Sequence, residues 1–188
     1  FMLSVFDVKS LHNLRLLKLN IVKIPSGELN NFQLMEQIVK YNLEVILSTG
    51  MSTFSEISKT VNYLKNRIKK KITILHCISS YPTNPQDVQI NNISKIKKKF
   101  RTEVGFSDHT DSYEAAVAAT TVGVSVIEKH LTINKKMKGP DHSSSLDPKQ
   151  FLHFVKSIRN TEKIIINKNY KISSDEFQNS KIVKKSIV

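Results

Sequence analysis

The sequence predicts an α/β fold of the (β/α)8, or TIM-barrel, type, present incompletely, and three observations predict it. Short apolar runs alternate with longer amphipathic segments, the pattern of a parallel sheet with helices outside it. Polar residues gather just past the end of nearly every apolar run, where a barrel keeps its mouth. A doubly wound sheet shares the βα alternation, but no GxGxxG or GxxxxGK[ST] loop occurs, which removes its usual nucleotide-binding forms.

In chain order, the first strand is expected at 2–4, followed by a helix marked by Leu11, Leu14, Leu16 and Leu17. A strand at 21–24 precedes a helix over 32–41 whose apolar positions are Leu34, Met35 and Ile38. The strand at 45–48 leads to a helix over 54–68. There Thr53 is the N-cap and Glu56 stands at capping-box spacing, ahead of Ile57, Val61, Leu64 and Ile68. A strand at 72–77, a helix over 87–100, a strand at 103–106, a helix over 113–122, a strand at 124–128 and a helix over 148–165 complete the pattern. Each strand is brief and rich in Val, Ile and Leu, as strands buried on both faces are. A barrel has eight strands, and this alternation supplies six. The chain opens inside an apparent strand without an initiator methionine, so a fragment is expected: a partial barrel over 1–166 and a linker over 167–188.

Composition bounds the function. Hydrophobic residues make up 39% and charged residues 24%, a globular balance. No stretch approaches the roughly 18 consecutive apolar residues of a membrane span, and Phe1 to Val5 lacks the basic region and cleavage site of a signal peptide. The single cysteine, Cys77, excludes an internal disulfide and suits a reducing cytoplasm. The net charge of +13 suggests nucleic acid, but the lysines concentrate at 65–71 and 95–99, where helices end. Lysine there complements the helix dipole from a solvated face, and no interleaved aromatics or nucleic-acid motif accompany it.

The polar clusters at the strand ends carry the chemistry. His109 follows one strand and His130 ends the next, so both point into one cavity and are candidates to share a divalent metal. Each taken singly also reads as a hydrogen-bonded structural histidine. Lys23 with Ser26, Ser48, Ser79 and Ser107 lines the same mouth, supplying the ammonium and hydroxyls that a phosphate dianion needs. Any one of these serines is equally a turn or cap residue. Glu28 is a rim carboxylate and a candidate acid/base. Asp141 sits in a Gly-Pro-Asp loop that reads either as a cover over substrate or as a plain turn. His76, inside an apolar run, reads as a core or supporting residue, and Cys77 as buried packing.

The stretches Lys23-Ile24-Pro25-Ser26-Gly27-Glu28, Val45-Ile46-Leu47-Ser48-Thr49-Gly50-Met51 and Leu75-His76-Cys77-Ile78-Ser79-Ser80-Tyr81-Pro82-Thr83 are followed in order by three more. These are Gly105-Phe106-Ser107-Asp108-His109-Thr110, Val126-Ile127-Glu128-Lys129-His130 and Gly139-Pro140-Asp141-His142. In these motifs the sequence resembles the sialic acid synthase family: the N-acetylneuraminate synthases and their legionaminate and pseudaminate relatives. The resemblance implies a TIM barrel of which this chain holds strands three to eight, with the first two strands and a C-terminal antifreeze-like domain missing, from an enzyme that forms a homodimer. It implies that Ser4, Lys23, Ser26, Ser48, Ser79 and Ser107 hold phosphoenolpyruvate. It further implies that His109 and His130 bind the metal, usually manganese with magnesium or cobalt as alternatives, that Glu28 acts beside a metal-bound water, and that Tyr81 and Asp141 contact the amino sugar. The chain departs from the pattern at Ser4, where threonine is common, at Ser79, where some members have asparagine, and at Val5, which replaces a usual proline.

The reaction so implied is condensation of phosphoenolpyruvate with an N-acetylated sugar, N-acetylmannosamine or a related one, giving a nonulosonate and phosphate. The alternatives are another phosphoenolpyruvate-dependent synthase of a keto-deoxy sugar acid, and a catalytically impaired fragment or one part of a split enzyme.

Overall fold

The computed structural model describes residues 1–166 and 171–185, so positions 167–170 and 186–188 of the expected linker lie outside the described residues. Six strands form a single sheet: β1 (Leu3–Ser4), β2 (Ile21–Ile24), β3 (Glu44–Ser48), β4 (Ile72–Cys77), β5 (Glu103–Asp108) and β6 (Val126–Lys129). All neighbours pair in parallel. Spatial order follows chain order without the reversal that defines a doubly wound sheet. The sheet is therefore the arc of a partial barrel.

Helices α1 (Val8–Leu16), α2 (Phe32–Tyr41), α3 (Phe54–Lys65), α4 (Asn91–Phe100), α5 (Glu114–Thr121) and α6 (Pro148–Ile164) connect or follow the strands. Their boundaries are written in the sequence. Asn31 caps α2 by accepting from Leu34 N–H, and Asn42 ends it in the left-handed conformation at φ 47°. Thr53 and Glu56 form the expected reciprocal capping box on α3, and Asp147 and Gln150 form another on α6. The basic residues near the helix ends take up the predicted dipole-complementing places: Lys65 donates to the Phe100 carbonyl and Lys97 to that of Gly123.

Alternation along the strands divides the two faces. Val22, Ile24, Val45, Leu47, Ile74, Val104 and Phe106 face the helices and pack with Leu34, Ile38, Val61, Leu64, Ile93 and Ile96 in one core cluster. The opposite face turns into the barrel. Leu75, Gly105 and Val126 are register partners there. A Cβ on Gly105 would lie 2.3 Å from Leu75 Cδ2 and 2.6 Å from the Val126 carbonyl, so glycine makes room for the barrel interior.

Several boundaries differ from expectation: α3, for one, ends at Lys65 rather than at position 68, and most of the others shift by a single residue. β6 begins at Val126 rather than at position 124, because the Val124 N–H is taken by the Ala119 carbonyl in the turn that ends α5, with Gly123 at φ 85°. β5 runs on to Asp108, since Ser107 and Asp108 pair with Glu128 and Lys129. Helix α4 starts at Asn91; residues 85–87 form a separate 3-10 turn, and Gln89 at φ 50° breaks the path between them. The expected linker contains a helix, α7 (Ser174–Val183), opened by a Ser173–Glu176 capping box and burying none of its residues. No described helix is long and apolar enough to cross a membrane.

Candidate active site

The carboxyl ends of the strands surround a cavity of about 540 Å³. Every position expected to hold phosphoenolpyruvate, metal or sugar lines it: Ser4, Lys23, Ser26, Ser48, Ser79, Ser107, His109, His130, Tyr81 and Asp141. The register explains the convergence. Ser4 pairs with Lys23, and Cys77, Ser107 and Glu128 are successive partners across β4, β5 and β6, so all of them point to the interior face.

Glu28 is not brought there. The 3-10 turn Ser26–Glu28 carries it off the cavity wall, and its Oε2 accepts from Asn31 Nδ2 at 2.7 Å. A different glutamate lines the cavity wall: Glu128, whose Oε1 accepts from Lys23 Nζ at 3.0 Å and from Ser107 Oγ at 2.8 Å. Glu128 stands two residues before His130 on one strand, and that period-two spacing is the signal that assigns both to the same face.

One end of the cavity is a hydroxyl cradle. Ser26 Oγ accepts from the Gly50 N–H at 2.9 Å, and a Cβ on Gly50 would fall 2.2 Å from Ser79 Oγ and 2.8 Å from Ser26 Oγ. Glycine at position 50 therefore lets a backbone N–H and two hydroxyls converge. Ser48 Oγ is buried without a hydrogen-bond partner among the described residues. A buried hydroxyl left unpaired is costly unless a ligand completes it. With the Lys23 ammonium, itself only 7% exposed, the cradle suits a small anionic ligand.

The other end is aromatic. The His109 and His130 rings meet edge to face with centroids 5.1 Å apart, and the Tyr81 ring lies 4.3 Å from His109 and 5.5 Å from His130. His109 Nδ1 is 2.8 Å from the Ile78 carbonyl, which fixes the proton there and leaves Nε2 as the lone-pair nitrogen, 3.4 Å from Ser107 Oγ. His130 Nδ1 stands 3.9 Å from Asp141 Oδ2. Burial, then the neighbouring His109, hold the His130 pKa below its ordinary value, so its imidazole is neutral at pH 7. For His109, burial acts against the charge, but its contacts with Cys77 and the Ile78 carbonyl outweigh that and raise its pKa. Cys77 mirrors it: burial acts to raise the thiol, yet contacts with His109 and Ser26 bring it below its usual value. Two facing imidazoles, one in a tautomer locked by a carbonyl, fit part of a divalent-metal shell. Among the described residues no third His, Cys, Asp or Glu joins them in a cluster.

The sequence pattern described as the NeuB family matches residues 1–170. N,N'-diacetyllegionaminic acid synthase of Campylobacter jejuni is 40% identical over 190 residues, covering 100% of this chain and 57% of that protein. N-acetylneuraminate-9-phosphate synthase of Drosophila melanogaster is 33% identical over 186 residues, covering 98% of this chain and 48% of that protein. The crystal structure of N-acetylneuraminic acid (sialic acid) synthetase from Leptospira borgpetersenii in complex with citrate superposes with a TM-score of 0.84 at 32% identity, covering 95% of this chain and 62% of that one. The chain thus spans about half the length of the curated relatives it matches. On the fold, the cavity and this likeness over nearly its whole length, the chain belongs to the NeuB family.

Proposed function

We propose that the cavity condenses phosphoenolpyruvate with an N-acetylated amino sugar, N-acetylmannosamine or a related sugar, to a sialic-acid-type nonulosonate and phosphate. The observation that carries this reading is the hydroxyl cradle: Ser48 Oγ buried and unpartnered beside Ser26, Ser79 and the Gly50 N–H, with Lys23 at the same wall. A substrate bearing both phosphate and carboxylate would pair with all of these groups.

In this mechanism Lys23 and Ser4, Ser26, Ser48, Ser79 and Ser107 hold phosphoenolpyruvate with its enol carbon toward the two histidines, their donors oriented before the substrate enters. Tyr81 and Asp141, at the exposed lip, hold the amino sugar with its open-chain aldehyde over that carbon. A divalent metal on His109 and His130, manganese or else magnesium or cobalt, would supply Lewis-acid polarisation of the aldehyde oxygen. The new carbon–carbon bond joins the enol carbon to the aldehyde carbon, water adds at the phosphate-bearing carbon, and phosphate departs. Lys23 and the serines hold the phosphate charge throughout. Glu28 is proposed as a support, through Asn31, for the turn that presents Ser26.

We further propose that the described arc corresponds to strands three to eight of the eight-stranded barrel, in an enzyme that acts as a homodimer within the cytoplasm. The relatives' greater length supports the first part alone, because two strands and a further domain fit within it. A second reading, a catalytically impaired fragment or one part of a split synthase, draws support from the sheet edges at β1 and β6, which pair with no other strand among the described residues. The test is phosphate release by the protein as its gene encodes it, with each candidate sugar, beside the chain 1–188 alone. Release by the former and none by the latter would assign the chain the role of a part; release by neither would remove the synthase reading.

A further inference from the structure

Among the described residues, Glu128 is the one carboxylate of the cavity wall that is hydrogen-bonded to groups of the proposed phosphate subsite. Its Oε1 takes the Lys23 ammonium at 3.0 Å and the Ser107 hydroxyl at 2.8 Å together, and its side chain keeps 28% of its exposure, open to the cavity. Lys23 is a buried cation, and a buried cation without a partner is unfavourable. Ser107 and Glu128 are register partners on adjacent strands, so the contact is set by the sheet and not by a flexible loop.

We propose that Glu128 is the internal counter-anion of the phosphate subsite, a positioning residue that holds Lys23 and Ser107 when the site is empty, surrenders them to the incoming phosphate, and reclaims them as phosphate leaves. The inference rests on the proposed function and goes beyond it by assigning release of phosphate to a group that does not touch the forming bond. The physics is competition. A carboxylate and a phosphate both require Lys23, and the two anions repel at this range. Glu128 therefore weakens anion binding while keeping the ammonium aimed. Its cost in affinity falls on the product as well as on the substrate, which favours turnover over retention. A residue that merely braced the fold would have the opposite effect, because its loss would loosen the site and weaken binding.

The test is calorimetric titration of inorganic phosphate and of phosphoenolpyruvate into the protein as its gene encodes it, and into Glu128→Gln, Lys23→Met and the double variant. The expected result is that Glu128→Gln binds phosphate about tenfold more tightly, equal to about 1.4 kcal/mol, and that adding Lys23→Met abolishes the gain. Product inhibition by phosphate should strengthen in parallel. Equal or weaker phosphate binding by Glu128→Gln, with Lys23→Met still impaired, would overturn the role of Glu128 and leave the phosphate subsite standing. Absence of binding to the unsubstituted protein and all variants alike would overturn both. If Glu128→Gln does not fold, Glu128→Asp draws the carboxylate back by one methylene and should shift phosphate affinity in the same direction; unchanged or weaker binding there contradicts the proposal.

Discussion

The Lys129 ammonium stands 3.1 Å from the Asp108 carboxylate, and the two side chains are 1% and 0% exposed. Both lie on the helix-facing side of adjacent strand ends, where they are register partners, and each is followed directly by a cavity histidine, His109 or His130. Asp108 also accepts from the Thr110 N–H and hydroxyl, and Lys129 donates to the Thr110 carbonyl. The network ties the two histidine-bearing strand ends into one unit.

Breaking that pair is therefore expected to damage stability and site together. Lys129→Met leaves the Asp108 charge buried without its partner and should cost about 3–5 kcal/mol in urea unfolding. The double variant Lys129→Met, Asp108→Asn removes both charges and should recover more than half of the loss. Divalent-metal affinity, read by titration calorimetry, should stay weakened in the double variant, because the tie between the strand ends is gone.

Gly50→Ala separates site geometry from folding. The added methyl meets the ends of the Ser79 and Ser26 side chains at 2.2 and 2.8 Å, and hydroxyl rotamers can yield where backbone cannot. The expected result is a thermal midpoint within a few degrees of the parent, with phosphoenolpyruvate affinity lowered by an order of magnitude or more, about 1.4 kcal/mol per tenfold. Gly105→Ala is the contrast. Its Cβ meets the Val126 carbonyl at 2.6 Å, a backbone atom, and that protein should be strongly destabilised.

The pH dependence of stability should carry a contribution from His76. Burial lowers its pKa, against the effect of the Val88 carbonyl 2.7 Å from its Nε2. The unfolded chain binds the proton as pH falls through about 6.5, while the folded protein does not until lower pH. Stability is thus fully present above that value and lost progressively below it. Replacing His76 with glutamine should flatten the fall in urea stability between pH 7 and 5 relative to the parent, by up to about 1.4 kcal/mol per pH unit. An unchanged slope would show that His76 does not carry it.

Much of this arrangement is legible in the sequence, because buried parallel strands announce themselves as Val- and Ile-rich runs. β2 and β4 coincide with their expected limits for that reason, and Thr53 and Glu56 name the start of α3 outright. Legibility fails where polar residues do structural work. Ser107 and Asp108 hide the last two residues of β5, and the adjacent charges Glu128 and Lys129 face opposite sides of the sheet, one to the cavity and one to Asp108. Glu28 misleads in the converse way. Its distance along the chain from Ser26 suits the rim, but a 3-10 turn does not alternate as a strand does, and it turns the carboxylate toward Asn31. The Ser173–Glu176 capping box was present in the sequence of α7, but with no buried face behind it the segment lacks the apolar periodicity that marks the other helices.

The deciding measurement for the condensation is phosphate release from phosphoenolpyruvate by the protein as its gene encodes it, with manganese and N-acetylmannosamine or a 2,4-diacetamido sugar, beside Ser48→Ala and His109→Ala. Release should require the sugar, Ser48→Ala should bind phosphoenolpyruvate more weakly, and His109→Ala should lose turnover by at least 100-fold, about 2.7 kcal/mol. Release that ignores the sugar, or that survives His109→Ala unchanged, would contradict the condensation.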